Sequence, residues 1–342
     1  NLWINSDEIA GNGVDDDGDG GIDNMNGWDV ANLDASINPP NQSFSHGSHT
    51  ASCASAATDN GVGIAAIGFN SKIMCIKATA DNISNSTSIS HGYEGVQHAV
   101  VAGANVVNMS WGGLGSSIYG LQVVNAAAAS DVVLVGAAGN DGSSQRQYPA
   151  AYEVVLAVGA TRNNDLKANY SNYGNWIDVM APGTMFGASS ANPGGYYVTS
   201  GTSMAAPMVA GLAALLRSYN TGMNEQQVRD RIRNTADNID NINPQFSGLL
   251  GTGRINAFKA LEGADPIHCD TIEIDPFTGT RSAINVATLL GSGQGYLAGS
   301  SSEDVNQLAA RFDAQPGRDK LHSIRFGFHT AVNASASATP VL

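Results

Sequence analysis

The sequence predicts an α/β fold in which a doubly wound, mostly parallel sheet carries helices on both faces. The first observation is a set of short, continuous Val and Ile runs within residues 1–262, which are typical of parallel strands buried on both faces. The second is that helical stretches separate these runs, as in a sheet built from crossover connections. The third is length, because 342 residues can bury a full core without disulfide bonds.

Six segments have the composition of strands, being short and rich in apolar residues. They are residues 28–30, 71–77, 105–110, 132–138, 154–158 and 176–180. Trp111-Gly112-Gly113 follows the third of these strands, and Gly139-Asn140 follows the fourth. Since ligands bind at the carboxyl ends of strands in such sheets, we expect functional groups at these two places.

Five segments are predicted to be helices because they are longer and lie between or after the strands. They are residues 46–57, 88–102, 116–130, 203–219 and 224–236. The first is rich in small residues, the third contains an Ala run, and the fourth starts directly after the small-residue turn Gly201-Thr202-Ser203. A serine at such a helix start lies beside free backbone N–H groups that favour negative charge.

The composition changes near residues 262–266, which indicates a domain boundary. We predict a first domain over residues 1–262, a linker over 263–272 and a partial accessory β domain over 273–342. Alternating segments at 271–274 and 323–328 favour antiparallel strands in the last part. The chain starts at Asn1 rather than Met and stops within an apparent strand, so we expect a longer protein at both ends.

The charge balance is acidic, with 30 Asp and Glu against 16 Lys and Arg and a net charge of −14. This argues against nucleic acid and anionic membranes as partners, and most of the charge is expected to keep the surface soluble. No run of 18 apolar residues is present, so we expect no membrane span. A monomer is expected.

The cysteines allow one internal disulfide at most, because only Cys53, Cys75 and Cys269 are present. No Cys-x-x-Cys occurs, which argues against a zinc or thioredoxin-like site. Cys53 and Cys75 lie in apolar contexts. Buried free thiols are the preferred interpretation, and a bridge between the two remains the alternative.

An acidic loop near the start resembles the first half of an EF-hand-type calcium loop. Carboxylates recur at alternate positions, and Gly20 occupies the sixth position, where such loops turn sharply. The predicted calcium ligands are Asp15, Asp17, Asp19, the carbonyl of Gly21, and Asp23. The twelfth position is Asn26 instead of Glu, which argues against a standard hand. The alternative is a solvated acidic loop without a cation.

Three residues at predicted strand and helix ends have the chemistry of acyl transfer. Ser203 could act as nucleophile once a base removes its proton, and His46 titrates in the useful range. Asn140 could donate to the oxyanion of a tetrahedral intermediate. Each has a structural alternative when taken alone, since Ser and His occur as helix caps and Gly-Asn is common in turns.

Together the motifs resemble those of the subtilisin-like serine proteases. His46-Gly47-Ser48-His49-Thr50-Ala51 resembles the family's histidine block, with Ser in place of the usual Thr. Residues 108–113 resemble its substrate-binding strand, residues 137–140 its oxyanion segment, and residues 201–211 its serine block. The stretch 253–257 resembles the end of its catalytic domain. The order His then Ser fits this family, and an α/β-hydrolase elbow is absent because Ala205 replaces its last glycine.

The resemblance implies a secreted, calcium-supported serine endopeptidase with protein or peptide substrates. It implies that Ser203 is the nucleophile, His46 the general base and acid, and Asn140 the oxyanion donor, with His49 structural. The implied substrate-binding residues are Ser110, Trp111, Gly112, Ala137, Ala138, Gly139 and, at the floor of one pocket, Gln147. A transpeptidated or cyclised product is not distinguished from hydrolysis.

The sequence departs from the family pattern at the catalytic aspartate. No apolar strand ending in Asp-Thr-Gly or Asp-Ser-Gly precedes the histidine block. Asp29 is the nearest substitute by order, but Trp28-Asp29-Val30 resembles a later strand. We therefore expect the aspartate upstream of Asn1, and a chain impaired as given. The alternative is a catalytically silent, peptide-binding pseudoprotease.

Overall fold

The computed structural model describes residues 1–39, 41, 44–84, 89–192 and 194–262, with the backbones of strands at 294–299 and 308–313. Four parallel strands form its main sheet in the order β3-β4-β5-β6. They are β3 (Val106–Met109), β4 (Val133–Ala137), β5 (Val155–Thr161) and β6 (Val179–Pro182). Strands β4 and β5 are buried along their whole length, as their continuous apolar runs predict.

Helices cover both faces of this sheet. The bounds are α1 (His46–Ser55), α2 (Gly92–Val101), α3 (Ile118–Ala129), α4 (Thr202–Tyr219), α5 (Glu225–Asn234) and α6 (Ala257–Glu262). Val133 and Val135 of β4 pack in one core cluster with α4 and α5. Leu134 between them packs in another cluster with α2 and α3. Side chains that alternate along β4 thus pack into two separate core clusters, which confirms the predicted doubly wound class.

Two further strands form a separate parallel pair. Strand β1 (Gly27–Asp29) pairs with β2 (Cys75–Lys77). Strand β2 has β1 as its only strand neighbour, and β3 likewise has only β4, so both are edge strands among the residues described. The predicted strand 71–77 is therefore shorter than expected, although Ile73 still bridges to Leu2.

The structure corrects three element predictions. Strand β6 begins at Val179, so residues 176–178 of the predicted strand 176–180 lie before it. An antiparallel hairpin of β7 (Thr184–Ala188) and β8 (Tyr196–Ser200) was not expected. Helix α6 was also missed.

The C-terminal prediction is tested only in part. Strands β9 (Gln294–Gly299) and β10 (Leu308–Asp313) pair antiparallel. The predicted segments 271–274 and 323–328 lie outside the described residues, and so does Cys269. The division into a first domain, a linker and a β domain remains a prediction.

The two described cysteines are free thiols, and no bridge joins Cys53 to Cys75. Burial raises the pKa of Cys53 to about 12 and also raises the pKa of Cys75. Both are therefore uncharged at neutral pH, as inert structural thiols are. Separately, none of the helices within the described ranges combines the length and apolarity that crossing a bilayer requires.

A buried lysine holds the turn over residues 168–171. The Lys167 ammonium donates to the carbonyls of Ala168 at 2.9 Å and Ser171 at 2.7 Å, and it lies over the Phe246 ring at 4.8 Å from the centroid. Lys167 is only 7% exposed. Without this cation the Ser171 carbonyl would lose this donor, whereas the Ala168 carbonyl would keep the Ser171 N–H. The loss of a donor is costly for a buried acceptor.

We expect Lys167→Met to lower the free energy of unfolding by about 2 kcal/mol, because Met keeps the apolar stem but removes every donor. The measurement is the midpoint of urea unfolding, followed by circular dichroism at fixed calcium concentration. The control is Lys72→Met at an exposed position, which should change the free energy by less than about 0.5 kcal/mol. Equal effects of the two substitutions would contradict a structural role for the ammonium.

Candidate active site

The predicted nucleophile lies in the first turn of the long helix α4. Gly201 precedes the helix, and Thr202 and Ser203 are its first two residues. The Ser203 hydroxyl donates to the backbone carbonyl of Ser110 at 3.2 Å. In this first turn the Thr202 N–H donates to Asn140 and the Met204 N–H donates to the Gly201 carbonyl. The positive end of the helix dipole favours negative charge beside Ser203.

Asn140 is oriented by the residue next to the nucleophile. Its Oδ1 accepts from the Thr202 backbone N–H at 2.8 Å and from the Thr202 hydroxyl at 3.1 Å. With Oδ1 occupied in this way, the Nδ2 group is left as the donor, and it has no protein acceptor among the described residues. Asn140 is exposed, so Nδ2 can donate to a bound substrate oxygen.

A hydroxyl on the neighbouring strand end fixes the start of α4. The Ser110 hydroxyl donates to the Ser203 carbonyl at 2.8 Å and accepts from the Asn108 amide at 2.9 Å. Ser110 is buried. The Ser110 backbone and side chain thus both contact Ser203, which joins the predicted substrate-binding strand end to the nucleophile.

His46 is the first residue of α1, as predicted, and its accessible surface is that of an exposed residue. Surrounding protein atoms nevertheless lower the pKa of His46 by desolvation, and the neighbouring His49 lowers it further. No described carboxylate raises it, and no hydrogen bond joins His46 to Ser203 within the described part of the chain. The predicted base therefore lies at the start of α1, without a described carboxylate beside it and without a hydrogen bond to Ser203.

His49 has the structural role that was expected. It is fully buried, its Nε2 lies 3.2 Å from the Tyr197 carbonyl and its Nδ1 lies 3.5 Å from the Cys53 sulfur. A side chain at Gly187 would overlap its ring. His49 therefore locks α1 against the β7–β8 hairpin.

Asp29, the nearest substitute for a catalytic aspartate, makes its contacts with residues other than His46. Its carboxylate is fully buried and lies 2.5 Å from the Lys77 ammonium. It also accepts from the backbone N–H groups of Ala31 and Asn32. These contacts complete the hydrogen bonding of this carboxylate without His46, so Asp29 is an unsuitable partner for the base.

The predicted substrate-binding residues lie on three segments, namely 110–112, 137–139 and the stretch that contains Gln147. Gly112 is exposed and Trp111 is half-buried, with its ring edge-on to Tyr93 at 5.3 Å between centroids. Ala137 and Ala138 are buried in the core clusters, so Gly139 is the half-buried member of this wall. Gln147 is half-buried, and the next residue, Tyr148, forms a backbone bridge with Gly113.

The backbone conformation and close contacts at position 139 require a glycine. Its φ of +100° is a conformation that side chains disfavour. A Cβ there would lie 2.5 Å from Asn172 Nδ2 and 2.7 Å from Gln147 Cγ. Asn172 is fully buried and accepts from the Asp141 and Ser143 backbone N–H groups at 3.0 and 3.1 Å. Sequence reasoning missed Asn172, because only the folded chain brings it to this loop.

The acidic loop is arranged differently from the predicted ligand set. Buried Glu8 brings a carboxylate oxygen to Asp15 and Asp17, and the three oxygens lie within 4.8 Å of one another. Asp23 instead accepts backbone N–H groups at Gly11, Asn12 and Gly13. The Asp19 carboxylate accepts from Asn24 and from the Gly21 N–H. Glu8 carried no sequence signal, since it precedes the loop by seven residues.

Comparisons with known proteins identify the family of this chain. The model of the subtilase family, Peptidase_S8, matches residues 5–253. The chain is 41% identical over 216 residues to the thermophilic serine proteinase of Bacillus sp. (strain AK1), covering 63% of this chain and 52% of that protein. It is 36% identical over 240 residues to thermitase of Thermoactinomyces vulgaris, covering 70% and 81%. The chain thus spans only half the length of the first relative.

A solved structure described as proteases from Pseudoalteromonas arctica is also similar. Its TM-score is 0.55 at 28% identity, and the match covers 64% of this chain and 70% of that one. Fold, motif order and family model therefore agree, and the chain belongs to the subtilase family.

Proposed function

We propose that this chain carries the machinery of a serine endopeptidase that hydrolyses peptide bonds of proteins through an acyl-enzyme on Ser203. The observation that supports it most directly is the joint placement of Ser203 and Asn140. Thr202 orients the Asn140 amide, and the next residue along the helix is the nucleophile. The relatives named as serine proteinases support the same function.

The reaction assigns a role to each group. The Ser203 hydroxyl attacks the carbonyl carbon of the scissile bond, and His46 takes the hydroxyl proton. The oxyanion accepts from Asn140 Nδ2 and from the backbone N–H of Ser203. When the intermediate collapses, His46 returns the proton to the departing amine, and water then cleaves the acyl-enzyme by the same steps. An extended substrate pairs with the backbone of residues 110–112.

The carboxylate that orients His46 is proposed to come from outside the described residues. Asp29 is engaged with Lys77, and within the described part of the chain β2 and β3 each lie at the edge of a sheet. A silent peptide-binding protein is the second candidate, since the Ser203 hydroxyl donates to Ser110 instead of His46.

We also propose that the acidic loop binds calcium through Glu8, Asp15 and Asp17, with Asp19 and the Gly21 carbonyl as the remaining candidates. Three carboxylates whose oxygens lie within 4.8 Å of one another repel unless a cation joins them. Oxygen donors of this kind suit a hard cation. Calcium would hold the N-terminal segment, which contains Glu8, against the loop. We further propose that the protein is secreted and monomeric.

A fluorophosphonate probe should label Ser203, and Ser203→Ala should abolish labelling. We expect Asn140→Ala to slow labelling about 100-fold, because one preorganised oxyanion donor is lost. The measurement is the second-order labelling rate by intact mass spectrometry, and the control is Asn163→Ala at an exposed position. Absence of labelling in the unmodified chain would favour the silent peptide-binding protein.

The labelling rate should fall as the pH falls, with a midpoint below about 6.5, the ordinary pKa of histidine. Only neutral His46 can accept the proton, and desolvation together with His49 lowers its pKa. The rate is measured between pH 4.5 and 8.5, with circular dichroism to verify that the chain stays folded. A midpoint above the ordinary value would show that a carboxylate lies beside His46, since an opposite charge raises this pKa.

Calcium at 100 times its dissociation constant should stabilise the chain by about 2.7 kcal/mol. This corresponds to a rise in melting temperature of roughly 5–10 °C for a domain of this size. Asp17→Asn should remove most of that rise, whereas Asp59→Asn, which removes the same charge at an exposed position, should leave it intact. An equal rise in both variants and the unmodified chain would support the solvated-loop alternative.

A further inference from the structure

Three asparagines in the sequence are followed directly by glycine, and they are Asn12, Asn26 and Asn60. Such a pair can rearrange without an enzyme, because glycine carries no side chain that would hinder its backbone nitrogen. This nitrogen attacks the Cγ carbon of the asparagine, the C–N bond of the side-chain amide breaks, and the glycine N–H proton leaves with the ammonia. Water then opens the succinimide ring and yields aspartate or isoaspartate. The surroundings of each pair therefore decide which asparagine reacts.

Two of the three pairs lie in turns of the same sequence and the same shape. Both turns read Asn-Gly-Val, one at residues 12–14 and the other at residues 60–62, and both are exposed along their whole length. The valine N–H donates to the asparagine Oδ1 at 2.8 Å in the first turn and at 3.0 Å in the second. The glycine φ angles are +73° and +70°. The two turns are thus matched, and a difference in reactivity must come from the residues around them.

The third pair is held by strand pairing. Gly27 begins β1, where it pairs with Cys75 of β2. The Asn26 Nδ2 group donates to the Trp3 carbonyl at 2.8 Å, and the Asn26 carbonyl accepts from the Cys75 N–H at 3.2 Å. Attack on Asn26 would require the Gly27 nitrogen to leave the sheet, so this pair is inert as long as the chain stays folded there.

The acidic loop restrains both reacting groups of the turn at Asn12. The Asn12 Nδ2 group donates to Asp16 Oδ2 at 2.9 Å, and the Gly13 N–H donates to Asp23 Oδ2 at 3.1 Å. The reaction must break these two hydrogen bonds, and bonds to a charged acceptor are stronger than neutral ones. The two carboxylates also oppose the negative charge that develops on the side-chain oxygen during the attack.

The turn at Asn60 lacks these restraints. Among the described residues, none accepts a hydrogen bond from the Asn60 Nδ2 group or from the Gly61 N–H. The valine N–H remains bonded to Oδ1, where it stabilises the negative charge that develops on this oxygen. The adjacent carboxylate of Asp59 is exposed, so water and salt screen its charge. Of the three pairs, this one is both exposed and free to react.

We propose that Asn60 is a site of spontaneous deamidation, at which water completes the conversion to aspartate and isoaspartate, and that the acidic loop protects Asn12 from the same reaction. The modified chain carries one more negative charge, next to Asp59. Isoaspartate also adds a methylene group to the backbone of the loop that leads to Gly63. The Tyr196 hydroxyl of β8 leaves no room for a Cβ at Gly63, so the modification alters a loop that contacts the β7–β8 hairpin.

The test follows both asparagines in the full chain during incubation at mildly alkaline pH and fixed calcium concentration. Peptide mapping by mass spectrometry measures the replacement of each amide by a carboxyl group, and fragment spectra distinguish isoaspartate from aspartate. We expect Asn60 to convert at least about tenfold faster than Asn12. This ratio corresponds to about 1.4 kcal/mol in activation free energy, which one hydrogen bond to a charged group can supply.

Two variants test the reason for the difference. Asp16→Ala releases the Asn12 amide and should accelerate the conversion of Asn12 about tenfold. The matched control is Asp59→Ala, which removes the same charge at an exposed position and should leave Asn12 slow. In concentrated urea the two Asn-Gly-Val segments should convert at equal rates, because their surroundings are then the same.

Three outcomes would overturn the inference. Equal rates at Asn12 and Asn60 in the folded chain would show that the acidic loop gives no protection. A faster Asn12 would show that the carboxylate of Asp23 assists the loss of the Gly13 proton instead of restraining it. Conversion of Asn60 only in urea would show that its folded turn is itself protective. None of these outcomes depends on acyl transfer at Ser203.

Discussion

The functional site depends on one hydrogen bond, from the Ser110 hydroxyl to the Ser203 carbonyl. Within a regular helix that carbonyl would accept from the N–H four residues on. The residue there is Pro207, which lies inside α4 and has no N–H to donate. The carbonyl beside the nucleophile is therefore free, and a buried hydroxyl from the end of β3 satisfies it. This hydrogen bond fastens the first turn of α4, which would otherwise fray, to the main sheet.

Hydrogen bonds between element ends also fix Asn140, the proposed oxyanion donor. Thr202 donates twice to Asn140 Oδ1 and its hydroxyl accepts from the Gly139 N–H. Asn172 holds the following loop through two backbone N–H groups. The groups that stabilise negative charge are thus fixed by bonds to the ends of β3 and β4 and to α4. Preorganisation of this kind lets donors act without reorientation during the reaction.

Sequence patterns predicted the main sheet, the helices that cover it and the positions of Ser203 and Asn140, because each depends on local periodicity or on a motif at an element end. The β7–β8 hairpin was missed because residues such as Phe186 and Tyr196, which stack at 5.4 Å, pair only after the chain has turned. Glu8 and Asn172 were missed for a related reason. Each acts through a contact that no local periodicity or motif indicates, and its residue type alone carries no signal.

His46 and Ser203 are held by different parts of the fold. His46 begins α1, which His49 locks to the β7–β8 hairpin and which approaches α4 closely at Gly211, where a Cβ would lie 2.5 Å from the Ala54 carbonyl. Ser203 and Asn140 are fixed to the main sheet without any contribution from His46. A change in the charge or orientation of His46 therefore alters proton transfer but leaves the oxyanion donors in place. In the proposed reaction the oxyanion donors are thus held by the main sheet and α4, whereas the base is held by α1 and the β7–β8 hairpin.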